Sequence, residues 1–97
     1  MSAPCPVFGF DVHVRLADWV DEAAADALLD EFIVGPIEGN GLLAGGGGDR
    51  RGWRHTVSRE IGQATEADRV AVAAWAAGRA EIAACDVGPL VDLSGAA

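Results

Sequence analysis

From Val7 to Leu16 apolar and polar residues alternate: Phe8, Phe10, Val12, Val14 and Leu16 fall on one side, and Gly9, Asp11, His13 and Arg15 on the other. A two-residue period is that of a half-buried strand. Its apolar side is predicted to face helices, leaving Asp11, His13 and Arg15 on the opposite face. The period then changes. Leu28, Leu29, Phe32 and Ile33 recur at helical spacing while Asp21, Glu22, Asp26, Asp30 and Glu31 stay solvated, with Asp18 or Asp21 as the cap. Gly35-Pro36 is expected to stop this helix.

The next stretch, Ile37 to Gly48, ends in four consecutive glycines. It predicts a short weak strand near Leu42 to Ala44 followed by a flexible turn. Trp53 to Ile61 alternates again, with Trp53, His55 and Val57 on one side and Arg54, Thr56 and Ser58 on the other, which makes the glycines the turn of a β-hairpin. Thr65 and Asp68 have capping-box spacing, and Val72, Trp75 and Ala76 line one face of a helix that runs to about Gly78. A last strand near Cys85 to Leu93 is placed at a sheet edge, because Pro89 has no N–H for a central ladder. The order strand, helix, strand, strand, helix, strand predicts an α+β fold of ferredoxin-like type. Two split β-α-β units would form a four-stranded antiparallel sheet with both helices on one face.

Composition narrows the function. A chain of 97 residues supports one core, so a single domain is expected over residues 1–97, ordered from about 7 to 93. Seven basic residues, all arginine, against fifteen acids give a net charge of −8. Such a field opposes non-specific attraction to phosphate or anionic lipid, so any nucleic-acid contact must be local. Cys5 and Cys85 match no metal spacing and no disulfide framework. The stretch Met1 to Pro6 has no basic segment followed by an apolar one, and no run of about 18 apolar residues follows. A soluble, cytoplasmic protein without a membrane segment is the expectation.

Several of these residues together resemble a known family. They are Phe8-Gly9-Phe10, Phe32-Ile33, Ile37-Glu38-x-Asn40-x-Leu42, a glycine-rich turn, and Glu60-Ile61-Gly62-x-x-Thr65-Glu66 followed by Val72 and Trp75. In these the chain resembles the YggL family over roughly Val7 to Leu93, most specifically from Glu60 to Trp75. The resemblance implies a small α+β domain that binds the large (50S) ribosomal subunit and has no established enzymatic chemistry. Members can carry a strongly basic N-terminal extension; here Met1 to Pro6 contain no basic residue.

The candidate contacts follow from charge. Arg50, Arg51, Arg54 and Arg59 lie in ten residues without an acid, whereas the segment from Asp18 to Glu31 holds six acids and no base, which predicts a charge dipole. The arginines, with Arg15 and His13 on the open strand face, are positioned to grip rRNA phosphates, and Trp53 beside the turn to stack on a base. The plainer alternative is that they pair with Asp49 or Glu60 and keep a hairpin solvated. His13 and His55 fall in no metal-spaced set, Asp11, His13 and Arg15 have no nucleophile assigned to them, and Gly45 to Gly48 lack the Lys-Ser/Thr ending of a phosphate loop. No catalytic residue, metal or cofactor is therefore expected. The leading expectation is a non-enzymatic module on the large ribosomal subunit, contacting rRNA or ribosomal protein, in ribosome assembly or translation. The alternative is a protein-protein adaptor or homodimer that uses the same face or the exposed edge strand without RNA contact.

Overall fold

The computed structural model describes residues 7–59 and 61–93. The first strand, β1, spans Phe8–Leu16 and obeys the alternation, with Phe10, Val12, Val14 and Leu16 buried. Phe8, at the strand's start, stays exposed. Helix α1 spans Glu22–Phe32. Asp21 supplies its N-cap, the side chain accepting from the backbone N–H of Ala24 at 2.8 Å, and Ala25, Leu28 and Phe32 face the core.

Gly35-Pro36 does not stop the chain's helical course. After α1 the backbone widens into a π-helical turn over Ile33–Ile37 with Pro36 inside it, and then tightens into a 3₁₀ turn over Glu38–Asn40. Pro36 has no N–H to give to the carbonyl four residues back, and its ring crowds that carbonyl, so the i→i+5 turn absorbs what an α-turn would not. The Pro36 carbonyl accepts from Asn40 Nδ2 at 2.8 Å. Burial holds the detour in place, since Pro36 and Ile37 are both covered. Helical backbone ends at Gly41, left-handed at φ 71°.

Strands β2 (Leu42–Asp49) and β3 (Gly52–Arg59) form the hairpin, but the glycines are strand rather than turn. The turn is Arg50-Arg51, closed where the Asp49 carboxylate accepts from the Arg51 N–H at 2.8 Å. Gly46 and Gly48 lie opposite His55 and Trp53. A Cβ on Gly46, at φ 157°, would collide with the carbonyl of Arg54, and one on Gly48 would come within 2.6 Å of the Trp53 Cα. Positions 45 and 47 point the other way, into open space. Gly46→Ala is therefore expected to cost about 1–3 kcal/mol and Gly47→Ala no more than about 0.5, read from urea midpoints. Equal losses would show that strand entropy rather than close approach selects these glycines.

Helix α2, Glu66–Ala77, carries the expected capping box between Thr65 and Asp68 and ends at Gly78. The last strand is split. β4 (Ile82–Val87) and β5 (Val91–Asp92) both pair antiparallel with β1, separated by Gly88, Pro89 and Leu90. Pro89 cannot donate to the ladder, so the chain leaves it there and rejoins β1 at Phe8 and Gly9. The antiparallel sheet thus has five strands rather than four, in the order β2-β3-β1-β4 with β5 also on β1.

The core unites both helices with one sheet face: Phe10, Val12, Val14, Trp53 and Val57 from strands, Leu28 and Phe32 from α1, and Val72 from α2. Phe32 is fully buried, with its ring centroid 5.5–5.9 Å from Trp53, His55 and Trp75. Such aromatic pairs contribute about 0.5–1.5 kcal/mol each beyond the area they bury. Among the described residues no helix covers the sheet's other face, which carries the candidate site.

Candidate nucleic-acid interface

Register decides which polar side chains share the open face. His13 of β1 lies opposite Arg54 of β3 on one side and Asp86 of β4 on the other, and Arg54 in turn lies opposite Gly47 of β2. Asp11 lies opposite Thr56, whose hydroxyl donates to the Asp11 carboxylate at 2.8 Å. Arg15 lies opposite Gly52, beside the hairpin turn. Bare backbone at Gly45 and Gly47 leaves the approach to Arg54 unobstructed. His13, Arg15, Arg51 and Arg54 border one shallow depression of about 340 Å³, and a second, of about 400 Å³, adjoins it between Arg15, Arg50 and Arg51.

Ion pairing divides the seven arginines into two groups. Arg59, Arg69 and Arg79 pair with Asp68, Glu66 and Glu31, respectively. Arg15, Arg50, Arg51 and Arg54 make no salt bridge among the described residues. Asp49 turns its carboxylate to the Arg51 backbone rather than to a guanidinium. Glu60, the other acid suggested as a partner, lies outside the described residues, as does Cys5.

Two expected surface residues lie elsewhere. Trp53 is only 4% exposed and packs against Phe32 and His55 on the core face, because its position in β3 has the parity of Val57. It is not placed to stack on a ligand. Arg59 turns toward α2, its Nη2 donating to both Asp68 oxygens at 2.8 and 3.0 Å. It ties strand to helix instead of facing a partner.

Sequence reasoning missed Trp19. It lies in the turn between β1 and α1 and is 66% exposed. Its indole borders a third depression, of about 750 Å³, whose lining includes Asp18, Glu22, Arg50 and Arg51. Arg51 borders all three depressions. The surface is therefore continuous from His13 and Arg54 across the hairpin turn to Trp19. This geometry also revises the charge dipole. The first acids of α1 adjoin the arginine turn, which is held there by the Leu16 N–H donating to the Arg51 carbonyl at 2.7 Å. Opposite charges meet at this end of the molecule instead of standing apart.

A family model for the YggL 50S ribosome-binding protein matches residues 6–94 of the 97-residue chain. The chain belongs to this family. No curated protein and no solved structure matches it. The family's description concerns ribosome binding; among the described residues, Arg15, Arg50, Arg51 and Arg54 are the arginines outside any ion pair. Among the described residues, no group of three His, Cys, Asp or Glu side chains could hold a metal ion, and no helix is long and apolar enough to cross a membrane. Cys85 is half-buried, and burial, with the neighbouring Asp86 charge, pushes its thiol pKa up, away from nucleophilic character.

His55, by contrast, has a structural consequence. It is 5% exposed, its Nδ1 has no hydrogen-bond partner among the described residues, and burial lowers its pKa from the ordinary 6.5. The folded protein holds it neutral. As pH falls below 6.5 the unfolded chain gains a proton that the folded one resists, so stability falls with pH until the lowered folded pKa is passed. Urea midpoints at pH 7.5 and 5.0 should therefore diverge more in the parent protein than in His55→Leu. An equal divergence would assign the acid sensitivity to carboxylates instead.

Proposed function

We propose that this YggL-family chain is a non-enzymatic, single-domain module of the cytoplasm that binds the large ribosomal subunit through rRNA phosphates. Arg15, Arg50, Arg51 and Arg54, with His13 beside them, form the contact surface. One observation carries the reading. The four arginines without an ion pair among the described residues border one continuous surface, while the three paired ones lie on the helix side. Unpaired guanidinium groups keep their donors for bidentate contacts with phosphate, and their locality answers the unfavourable net charge. The element order and the strand order β2-β3-β1-β4 support reading the fold as ferredoxin-like. A role in ribosome assembly or translation fits a module that binds and does no chemistry of its own.

The test is co-sedimentation of the intact protein with purified large subunits. Four phosphate contacts predict a loss of roughly a hundredfold in affinity between 50 and 200 mM salt. Absence of the protein from the pellet at low salt would overturn the reading.

A second reading has one observation in its favour. Among the described residues strand β2 pairs only with β3; it is rich in glycine and leaves Leu43 half exposed near its start, so its outer edge suits strand addition by a partner or a second copy. An adaptor or homodimer of that kind would show little salt dependence.

A further inference from the structure

The unpaired arginines account for a phosphate backbone but not for an indole held in water. Trp19 is the tryptophan that faces solvent, since Trp53 is buried and Trp75 half-buried. Its backbone is fixed. Val20, next to it, is 1% exposed in the core, and the Val20 N–H donates to the Ala17 carbonyl at 3.0 Å. The turn therefore presents the ring from a rigid base, at one wall of the 750 Å³ depression that Arg50 and Arg51 also line.

The carboxylates of this depression differ in what they have left to bind. Asp21 is used as the α1 cap, and Asp49 accepts from the hairpin turn. Asp18 and Glu22 are exposed and accept no hydrogen bond among the described residues. Free carboxylates beside arginines and a stacking surface would weaken a purely phosphate-binding site. They are useful where the ligand also brings donors. An ionised carboxylate only accepts, so it selects groups rich in N–H. Guanine offers two adjacent donors, N1–H and the N2 amino group, on its Watson–Crick edge. Uracil offers one, flanked by carbonyls that repel a carboxylate. Sequence-specific RNA recognition commonly combines stacking of an unpaired base on an aromatic ring with hydrogen bonds to that edge.

We infer that this depression holds one unpaired guanine of RNA, stacked on Trp19, its flanking phosphates on Arg50 and Arg51 and its donor edge on Asp18 or Glu22. This assignment rests on the ribosomal reading above and adds a base preference to it.

The experiment uses the intrinsic fluorescence of the intact protein, because a base stacked on Trp19 quenches the exposed indole. The probes are single-stranded RNA nonamers: uridine throughout, or uridine with one central guanosine. The guanosine nonamer is expected to quench and to bind about tenfold tighter than the uridine one. Trp19→Ala should lose the quench and about tenfold in affinity for the guanosine nonamer, whereas Trp19→Phe retains most of that affinity. Asp18→Asn combined with Glu22→Gln should bring the two nonamers to equal affinity. Near-ultraviolet circular dichroism of the buried Trp53 checks that each variant is folded. Equal binding of both nonamers by the parent protein, or guanosine binding unaffected by Trp19→Ala, overturns the inference. Steep salt-dependent co-sedimentation with large subunits in that case leaves the phosphate reading standing. Loss of co-sedimentation with the guanosine preference intact removes the ribosomal reading alone.

Discussion

Replacing Arg50, Arg51 and Arg54 together with alanine is expected to flatten the logarithmic salt dependence of large-subunit binding by about two to three units, since each lost phosphate contact removes about 0.7 to 0.9. The protein should fold as before, within about 0.5 kcal/mol, because none of the three pairs with an acid among the described residues and all three side chains are exposed. Arg79→Ala is the matched control. That arginine is also cationic and partly exposed, but it pairs with Glu31 at 2.8 Å and stacks over Trp75 on the helix side. It should leave the slope unchanged. The comparison also separates the two readings of the surface. A protein-protein adaptor on the same face would lose affinity in the triple variant but would begin with a shallow slope. If the triple replacement leaves both affinity and slope intact, the partner meets the molecule elsewhere and the arginine assignment is wrong.

The parts of the fold legible in the sequence were those dictated by strong local periodicity. β1 and β3 alternate because one face of each is buried and the other is not, and Asp21, Thr65 and Asp68 cap helices through contacts only three residues long. Where long-range packing overrode local preference, the sequence misled. Glycines at 45 to 48 have poor strand propensity, yet positions 46 and 48 are selected by close approach to Arg54 and Trp53, a contact that exists only once the hairpin is formed. Asp49-Arg50-Arg51-Gly52 did carry a turn signature, aspartate first and glycine fourth, which the longer glycine run obscured. Pro36 is an ordinary helix stop by local rules, and burial of Pro36 and Ile37 is what keeps the chain turning past it.

The candidate site was legible to about the same depth. Strand parity alone put His13, Arg15 and Arg54 on the open face. The same parity, applied consistently, puts Trp53 in the core, so its nomination as a stacking residue conflicted with the reading of β3. Trp19 follows the last alternating residue and belongs to no periodic segment, so no pattern marked it. Arg59 was grouped with its neighbours by charge, but it ends β3 beside the first turn of α2. Nine residues of sequence separate it from its partner, and only the fold brings the two together.

That partner, Asp68, is a buried charged residue whose loss should cost substantial stability. It is 6% exposed at its side chain, and both of its oxygens accept from protein donors. One oxygen accepts from Arg59 Nη2 at 2.8 Å. The other accepts from Arg59 Nη2 at 3.0 Å, from the Thr65 N–H at 2.8 Å and from the Thr65 hydroxyl at 3.1 Å. Asp68→Ala removes the reciprocal half of the capping box, about 1 kcal/mol. It also leaves the Arg59 guanidinium, 30% exposed, without its counter-ion; a fully buried pair broken this way costs about 3–5 kcal/mol, and the solvent reaching Arg59 reduces that share. A total of about 2–4 kcal/mol follows, or a Tm lower by about 10–25 °C for a domain of this size. Arg59→Met should cost less, since it removes the guanidinium and leaves Asp68 held by Thr65. If the two variants lost equal stability, the contact would act as an ion pair alone and the cap would contribute little. A loss below about 1 kcal/mol for Asp68→Ala would mean that Arg59 finds water as readily as it finds Asp68, and would return Arg59 to the pool of arginines available to a phosphate partner.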